Sequence, residues 1–158
     1  MDKKKRIWLL LALIIVLIII FLVSRACTTE PVALHMEVDT VWATIHSNTF
    51  NASGPAVEKG YVCEIGIVDE VSDIGQPPPE STPAFTIVVD KHFVCGDDSG
   101  SFDMKMTVIV DRIARVSTGT WQIVNGTGKY TKLRGNGTIL GQNGNEIHIN
   151  DVYDGKVH

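Results

Sequence analysis

Between residues 36 and 157 almost every segment alternates apolar and polar residues with a period of two, and Val, Ile, Thr and aromatics dominate the apolar positions. That is the pattern of strands burying one face, and no window shows convincing helical periodicity, so the domain reads as all-β. The clearest case sets Phe102, Met104, Met106, Val108 and Val110 against Asp103, Lys105, Thr107, Ile109 and Asp111. Phe85, Ile87, Val89, Phe93 and Cys95 share one face of a second strand. Tyr61, Cys63, Ile65 and Ile67 alternate with Val62, Glu64, Gly66 and Val68. In residues 36–46, Met36, Val38 and Trp42 oppose Val41, Ala43 and Ile45, so this strand is expected to be covered on both sides. Further strands are expected at 120–124, 130–140 and 146–153, the last placing Ile147, Ile149 and Tyr153 against His148, Asn150 and Asp154.

Turn signals separate these strands. Gly96-Asp97-Asp98-Ser99-Gly100 and the Asn-Gly pairs at 125–126, 136–137 and 143–144 predict tight hairpins, hence antiparallel neighbours. Residues 47–57 and the proline-rich 73–83 read as exposed loops. Seven or eight strands joined mostly by short turns favour an up-and-down closed barrel over a Greek-key sandwich.

Ahead of the domain, Ile7 to Val23 is an unbroken apolar run preceded by Met-Asp-Lys-Lys-Lys-Arg. The positive flank keeps the N-terminus in the cytoplasm and sends everything after Ser24 outside. The run is at the short limit for a bilayer span and longer than the usual core of a signal peptide. Ser24-Arg25-Ala26 suits signal peptidase, and Cys27 follows, although Ser24 and Arg25 depart from the usual lipoprotein pattern. Three fates are therefore open: a retained signal anchor, which is the expectation adopted, cleavage and secretion, or lipidation at Cys27. The expected organisation is a cytoplasmic basic tail at 1–6, a transmembrane signal anchor or signal peptide at 7–24, a tether at 25–34 and an extracytoplasmic β-barrel at 35–158.

Lys3, Lys4, Lys5, Arg6 and Arg25 belong to the leader, with Asp2 the one acid among them; setting these aside leaves nine basic and seventeen acidic residues, about −8. A domain this acidic repels nucleic-acid phosphates, and on the same net-charge argument anionic headgroups are disfavoured. Outside the cytoplasm two thiols in one small domain are expected to pair. Cys63 and Cys95 lie in strand-like segments beside larger apolar residues, whereas Cys27 adjoins the membrane, so the expected disulfide is Cys63–Cys95. Two separately buried thiols are the alternative.

Chemistry-bearing motifs are sparse. Gly128-Lys129 fails the phosphate-loop spacing, with Ile123 at the first glycine and Tyr130 where Ser or Thr is required. Gly135-Asn136-Gly137 fails the dinucleotide fingerprint at Leu140. Asp97, Asp98 and Asp103 offer oxygens to calcium without the EF-hand spacing, and a turn whose Asp caps its own backbone accounts for them. His35, His46, His92, His148 and His158 are scattered, so no metal site and no cofactor is expected. No Gly-x-Ser-x-Gly elbow is present. Glycines next to Trp121 and Leu133 read as devices for bending and packing strands.

Those same residues carry a resemblance. Gly119-Thr120-Trp121, Gly126-Thr127-Gly128-Lys129-Tyr130 and Leu133-Arg134-Gly135-Asn136-Gly137, with Cys95 to Phe102 upstream and Tyr153-Asp154-Gly155 at the end, resemble bacterial secreted or membrane-anchored proteins of uncharacterised activity related to the allene oxide cyclase barrel. Dirigent proteins share part of the pattern. The resemblance covers about the last 65 residues and implies an eight-stranded antiparallel barrel. It also implies small-molecule binding in the barrel. No functional position of those families matches a residue here, so isomerase activity is not carried over. The expectation is a non-catalytic module at the membrane, binding a small apolar ligand or a protein partner. An apolar ligand would meet Trp42, Trp121 and Tyr153. An isomerase or cyclase is the alternative, and it needs an inward acid such as Glu64.

Overall fold

The computed structural model describes residues 13–17, 30–41, 48–70, 78–79, 81–143 and 148–158. Two compact units divide the chain, residues 1–30 and 31–158. In the first, residues 13–17 are helical and exposed. Among the described residues no helix is long and apolar enough to cross a membrane. The rest of the 7–24 segment, Cys27 and the tether as far as residue 29 lie outside the described residues.

The second unit is a closed barrel of eight antiparallel strands in which each pairs with the next and the last returns to the first. The strands are β1 (Val32–Val41), β2 (Asn48–Ser53), β3 (Ile65–Glu70), β4 (Ala84–Cys95), β5 (Ser101–Asp111), β6 (Val116–Gly126), β7 (Gly135–Asn143) and β8 (His148–Val157). Closure comes from a ten-residue ladder between β1 and β8, running from Val32↔Val157 to Val41↔His148. It leaves the sheet no open edge. Among the described residues every buried apolar core residue falls between Val32 and Val157.

Alternation predicted β4 and β5 well, because each has one apolar and one polar face. It failed where polar or small residues face inward. Residues 48–53, expected as loop, form β2, with Phe50 and Ala52 buried beside Asn48. The β3 face is the reverse of the one its larger side chains suggest: Ile65 and Ile67 are 60% and 49% exposed, while Val68 is buried. Gly66 faces inward, where a Cβ would collide with the Val94 carbonyl oxygen and stand 2.5 Å from the Phe50 ring, so β3 can offer only glycine at that level. On β1, Glu37 and Asp39 are exposed, so this part of its outer face is solvated, while Ala43 and Ile45, expected to be covered, lie outside the described residues. That strand starts at Val32, inside the expected tether, because Val32 and Leu34 continue the buried alternation of Met36 and Val38.

One rim is plugged. Helix α1 (Pro55–Glu58) has Pro55 in its first turn and buries Ala56, whose carbonyl accepts from the Val62 N–H at 3.3 Å, and Val62, Tyr130 and Leu133 are buried in the same core. Residues 128–130 form a 3-10 turn rather than a strand. Its Tyr130 hydroxyl lies 2.7 Å from Ser99 Oγ. Cys63 and Cys95 form the expected disulfide at this rim, with Cα atoms 5.9 Å apart. The expected turn at Gly96–Gly100 is present, and Asp97 Oδ1 accepts from the Ser99 backbone N–H at 3.1 Å.

Asn136-Gly137 makes no turn; both residues lie inside β7. Gly137 pairs with Gly155 of β8, and the two face the indole of Trp121. A Cβ on either would stand 2.7 or 2.5 Å from Trp121 Cζ2. Trp121 Nε1 donates to the Thr138 carbonyl at 3.0 Å, which fixes the ring. Gly137→Ala is therefore expected to destabilise the barrel by about 1–3 kcal/mol through overpacking. The check is urea unfolding followed by near-ultraviolet circular dichroism; an unchanged midpoint would show that the slot has slack.

Candidate functional site

The inward row of β4 is Phe85, Ile87, Val89, Lys91, Phe93 and Cys95, so a lysine occupies one position of an otherwise apolar stripe. On β8 the inward row likewise places Asp151 between Ile149 and Tyr153. β4 and β8 are four strands apart in an eight-stranded ring, hence on opposite walls. Lys91 nevertheless reaches across the lumen: its Nζ donates to Asp151 Oδ2 at 3.2 Å and to the Tyr153 hydroxyl at 3.3 Å. It also lies 5.9 Å from the Tyr153 ring centroid. Lys91 is 5% exposed, Asp151 7% and Tyr153 0%.

Burial alone would drive Lys91 towards the neutral amine. Tyr153 and Asp151 outweigh it and hold the pKa above the ordinary lysine value, so the group is an ammonium at neutral pH. A buried ion pair of this kind seldom adds stability over apolar side chains of the same volume. A barrel needing only rigidity would be served at least as well by leucines here, which makes the cluster a candidate for function.

One side of the cluster is solid. Phe93 and Phe102 stack at 5.0 Å, Phe50 meets Phe93 edge-on at 5.5 Å, and Tyr153 meets Phe93 at 6.2 Å. Met36, Met104, Met106 and Trp121 complete the packing. Towards the other rim Val89 and Val108 are still buried, but Phe85, Ile87, Val110, Ser117 and Ile149 on the inward rows are only half-buried. Arg112 stands at that rim with its guanidinium 4.8 Å from the Phe85 ring centroid. It donates to the Pro79 carbonyl at 2.7 Å and the Pro78 carbonyl at 3.2 Å, tying down part of the proline-rich segment. The inner surface thus grades from a packed floor, through a charged cluster, to an apolar wall reached by solvent.

Of the residues expected to meet a ligand, Tyr153 belongs to this cluster. Trp121 is a buried wall residue whose one polar atom is already bonded to Thr138. Glu64 is exposed, just ahead of β3, so it is not an inward acid. Its carbonyl accepts from the Ala52 N–H. Trp42, along with His46 and the turn at Gly144, lies outside the described residues. Lys91 and Asp151 were missed, although each was legible as a charge interrupting an inward apolar row. Among the described residues no three His, Cys, Asp or Glu side chains converge as metal ligands would. No protein-family model, no curated protein and no solved structure matches the chain.

Proposed function

We propose that this is an extracytoplasmic binding module, tethered to the membrane through residues 7–24, whose barrel takes a small apolar molecule bearing an oxygen head group. The observation that carries this reading is the charged Lys91 at the bottom of a half-buried apolar wall. An apolar body would lie against Phe85, Ile87, Val110 and Ile149, and its head group would point towards Lys91 and Arg112. The disulfide supports an oxidising compartment. The resemblance to allene oxide cyclase and dirigent barrels agrees with a ligand inside the barrel.

Calorimetry on the barrel unit with dodecanoate, dodecanol and dodecylamine tests the idea. Dodecanoate is expected to bind at least about tenfold more tightly than the amine, a difference of about 1.4 kcal/mol. That preference should vanish in the double variant Lys91→Met with Asp151→Leu. Equal binding of all three, or of none, would remove the head-group role of Lys91.

One observation favours an isomerase or cyclase as the second reading. An ammonium beside a phenol is a pairing that allows Tyr153 to donate a hydrogen bond or proton to a developing oxyanion. In that case Tyr153→Phe keeps binding and loses turnover.

A further inference from the structure

The basic residues of the domain are unevenly placed. Of the nine basic residues beyond the leader, Lys59, Lys129, Lys132, Arg134 and Lys156 all sit at the plugged rim, and all five are exposed. Among the described residues none of them is in an ion pair within 4 Å. Asp39, Asp69 and Asp111 lie towards the other rim, at the far ends of β1, β3 and β5.

Three of these lysines converge. A surface groove of about 340 Å3 is lined by Lys59, Tyr61, Lys129, Lys132 and His158, with no acidic side chain in its walls. Lys129 reaches over the turn after α1, because a Cβ at Gly60 would stand 3.1 Å from its Nζ. Glu58, Glu64, Asp97 and Asp98 share the rim but lie outside the groove. Asp97 is bonded to Ser99, whose hydroxyl and backbone N–H, with the Lys129 charge nearby, hold its carboxyl below the usual range.

This is also the rim where the chain enters the barrel, since β1 begins at Val32 beside the end of β8. Only residues 24–30 separate the apolar run from Pro31, and seven residues extend at most about 25 Å. We infer that the groove is a membrane-contact surface that meets anionic phospholipid headgroups of the bilayer in which the leader is anchored. Three exposed ammonium groups suit phosphate oxygens, although Lys129 also feels the nearby Asp97 carboxylate, and Tyr61 supplies the aromatic edge favoured at the headgroup level. Net charge averages over the whole domain and does not describe the groove, whose walls carry no acidic side chain. The inference rests on residues 7–24 acting as an anchor and is independent of the ligand proposed for the barrel.

The test uses the full chain in phosphatidylcholine vesicles, with or without about 30 mol% phosphatidylglycerol to give an anionic surface. Carbonate extraction comes first; release of the chain would overturn the anchor and this inference with it. A membrane-impermeant amine reagent then labels outward-facing barrels, and mass spectrometry reads each lysine. Lys59, Lys129 and Lys132 are expected to react at least about fivefold more slowly on anionic vesicles, as polybasic attraction predicts. Lys105, on the outer barrel wall, should be unaffected. The protection should collapse in about 1 M salt, where the screening length is about 3 Å. The variant Lys129→Glu with Lys132→Glu should lose protection at Lys59 while keeping the near-ultraviolet signal of the folded barrel. Equal labelling on both vesicles from a carbonate-resistant chain would overturn the groove's role alone. Equal protection on neutral vesicles by millimolar glycerol phosphate would mean that the groove takes a soluble anion, which overturns the membrane reading.

Discussion

Lys91→Met is expected to cost the barrel about 3–5 kcal/mol, because it leaves the Asp151 carboxylate buried without its cation. Asp151→Leu should cost a similar amount by removing the carboxylate that offsets the charge of the buried ammonium. The two together should come close to wild type, since an apolar pair of that volume can fill the space between β4 and β8. The coupling energy from this cycle, read by urea unfolding, therefore separates a charged strut from ordinary core packing. Two single variants each within about 1 kcal/mol of wild type would mean that water reaches the pair. The pH dependence has a definite sign. The folded pKa of Lys91 lies above its ordinary 10.5, so its stabilisation is fully present below that pH and is lost as pH rises through the folded value. The gap between wild type and Lys91→Met should hold steady from neutrality to about pH 10.5 and narrow above it.

Removing the disulfide should have an effect of comparable size. Cys63 and Cys95 are 32 residues apart in sequence, and closing such a loop restricts the unfolded chain by about 3–4 kcal/mol in the chain-entropy description. Reduction, or the paired change Cys63→Ala with Cys95→Ala, should lower Tm by roughly 10–15 °C for a domain of this size. The strand ladders do not depend on the bond, so the reduced protein should still melt cooperatively from a native near-ultraviolet spectrum. A Tm unchanged by reduction would mean that the segment between α1 and β3 is held by its other contacts. Val62 and the Gly96 N–H bond to the Ile65 carbonyl at 3.0 Å are those contacts.

How legible each part was follows from what alternation measures. β5 was legible because its polar partners, Asp103, Lys105 and Thr107, leave no doubt about which side is wet. β3 misled because Ile65 and Ile67 look like core residues, yet their side of the strand faces out and Gly66, on the other side, faces in beside Phe50. β2 was hidden by Asn48, Asn51 and Ser53, whose loop-like composition hides the Phe50 and Ala52 alternation. Asn136-Gly137 is a strong turn signal in isolation, but here the missing side chain makes room for a tryptophan from the neighbouring strand.

The candidate site divides the same way. Tyr153 was chosen for its face and does join the cluster. Lys91 and Asp151 were passed over because a charge in an apolar row reads as an interruption until a partner is found for it. That partner lies 60 residues away on the opposite wall, and no local pattern connects the two.

By itself the sequence determined that the domain is all-β and that hairpins make its neighbours antiparallel, and it favoured closure in sequence order and a Cys63–Cys95 pair, both of which the structure has. These follow from local periodicity, short connections and the count of cysteines. Only the tertiary structure decided that Lys91 spans the lumen to Asp151, that Gly137 and Gly155 make a slot for Trp121, and that five cations gather at one rim. Each depends on which residues distant in sequence come to share a level of the barrel. Strand register and closure set that relation, and a pattern read along one strand carries no information about it.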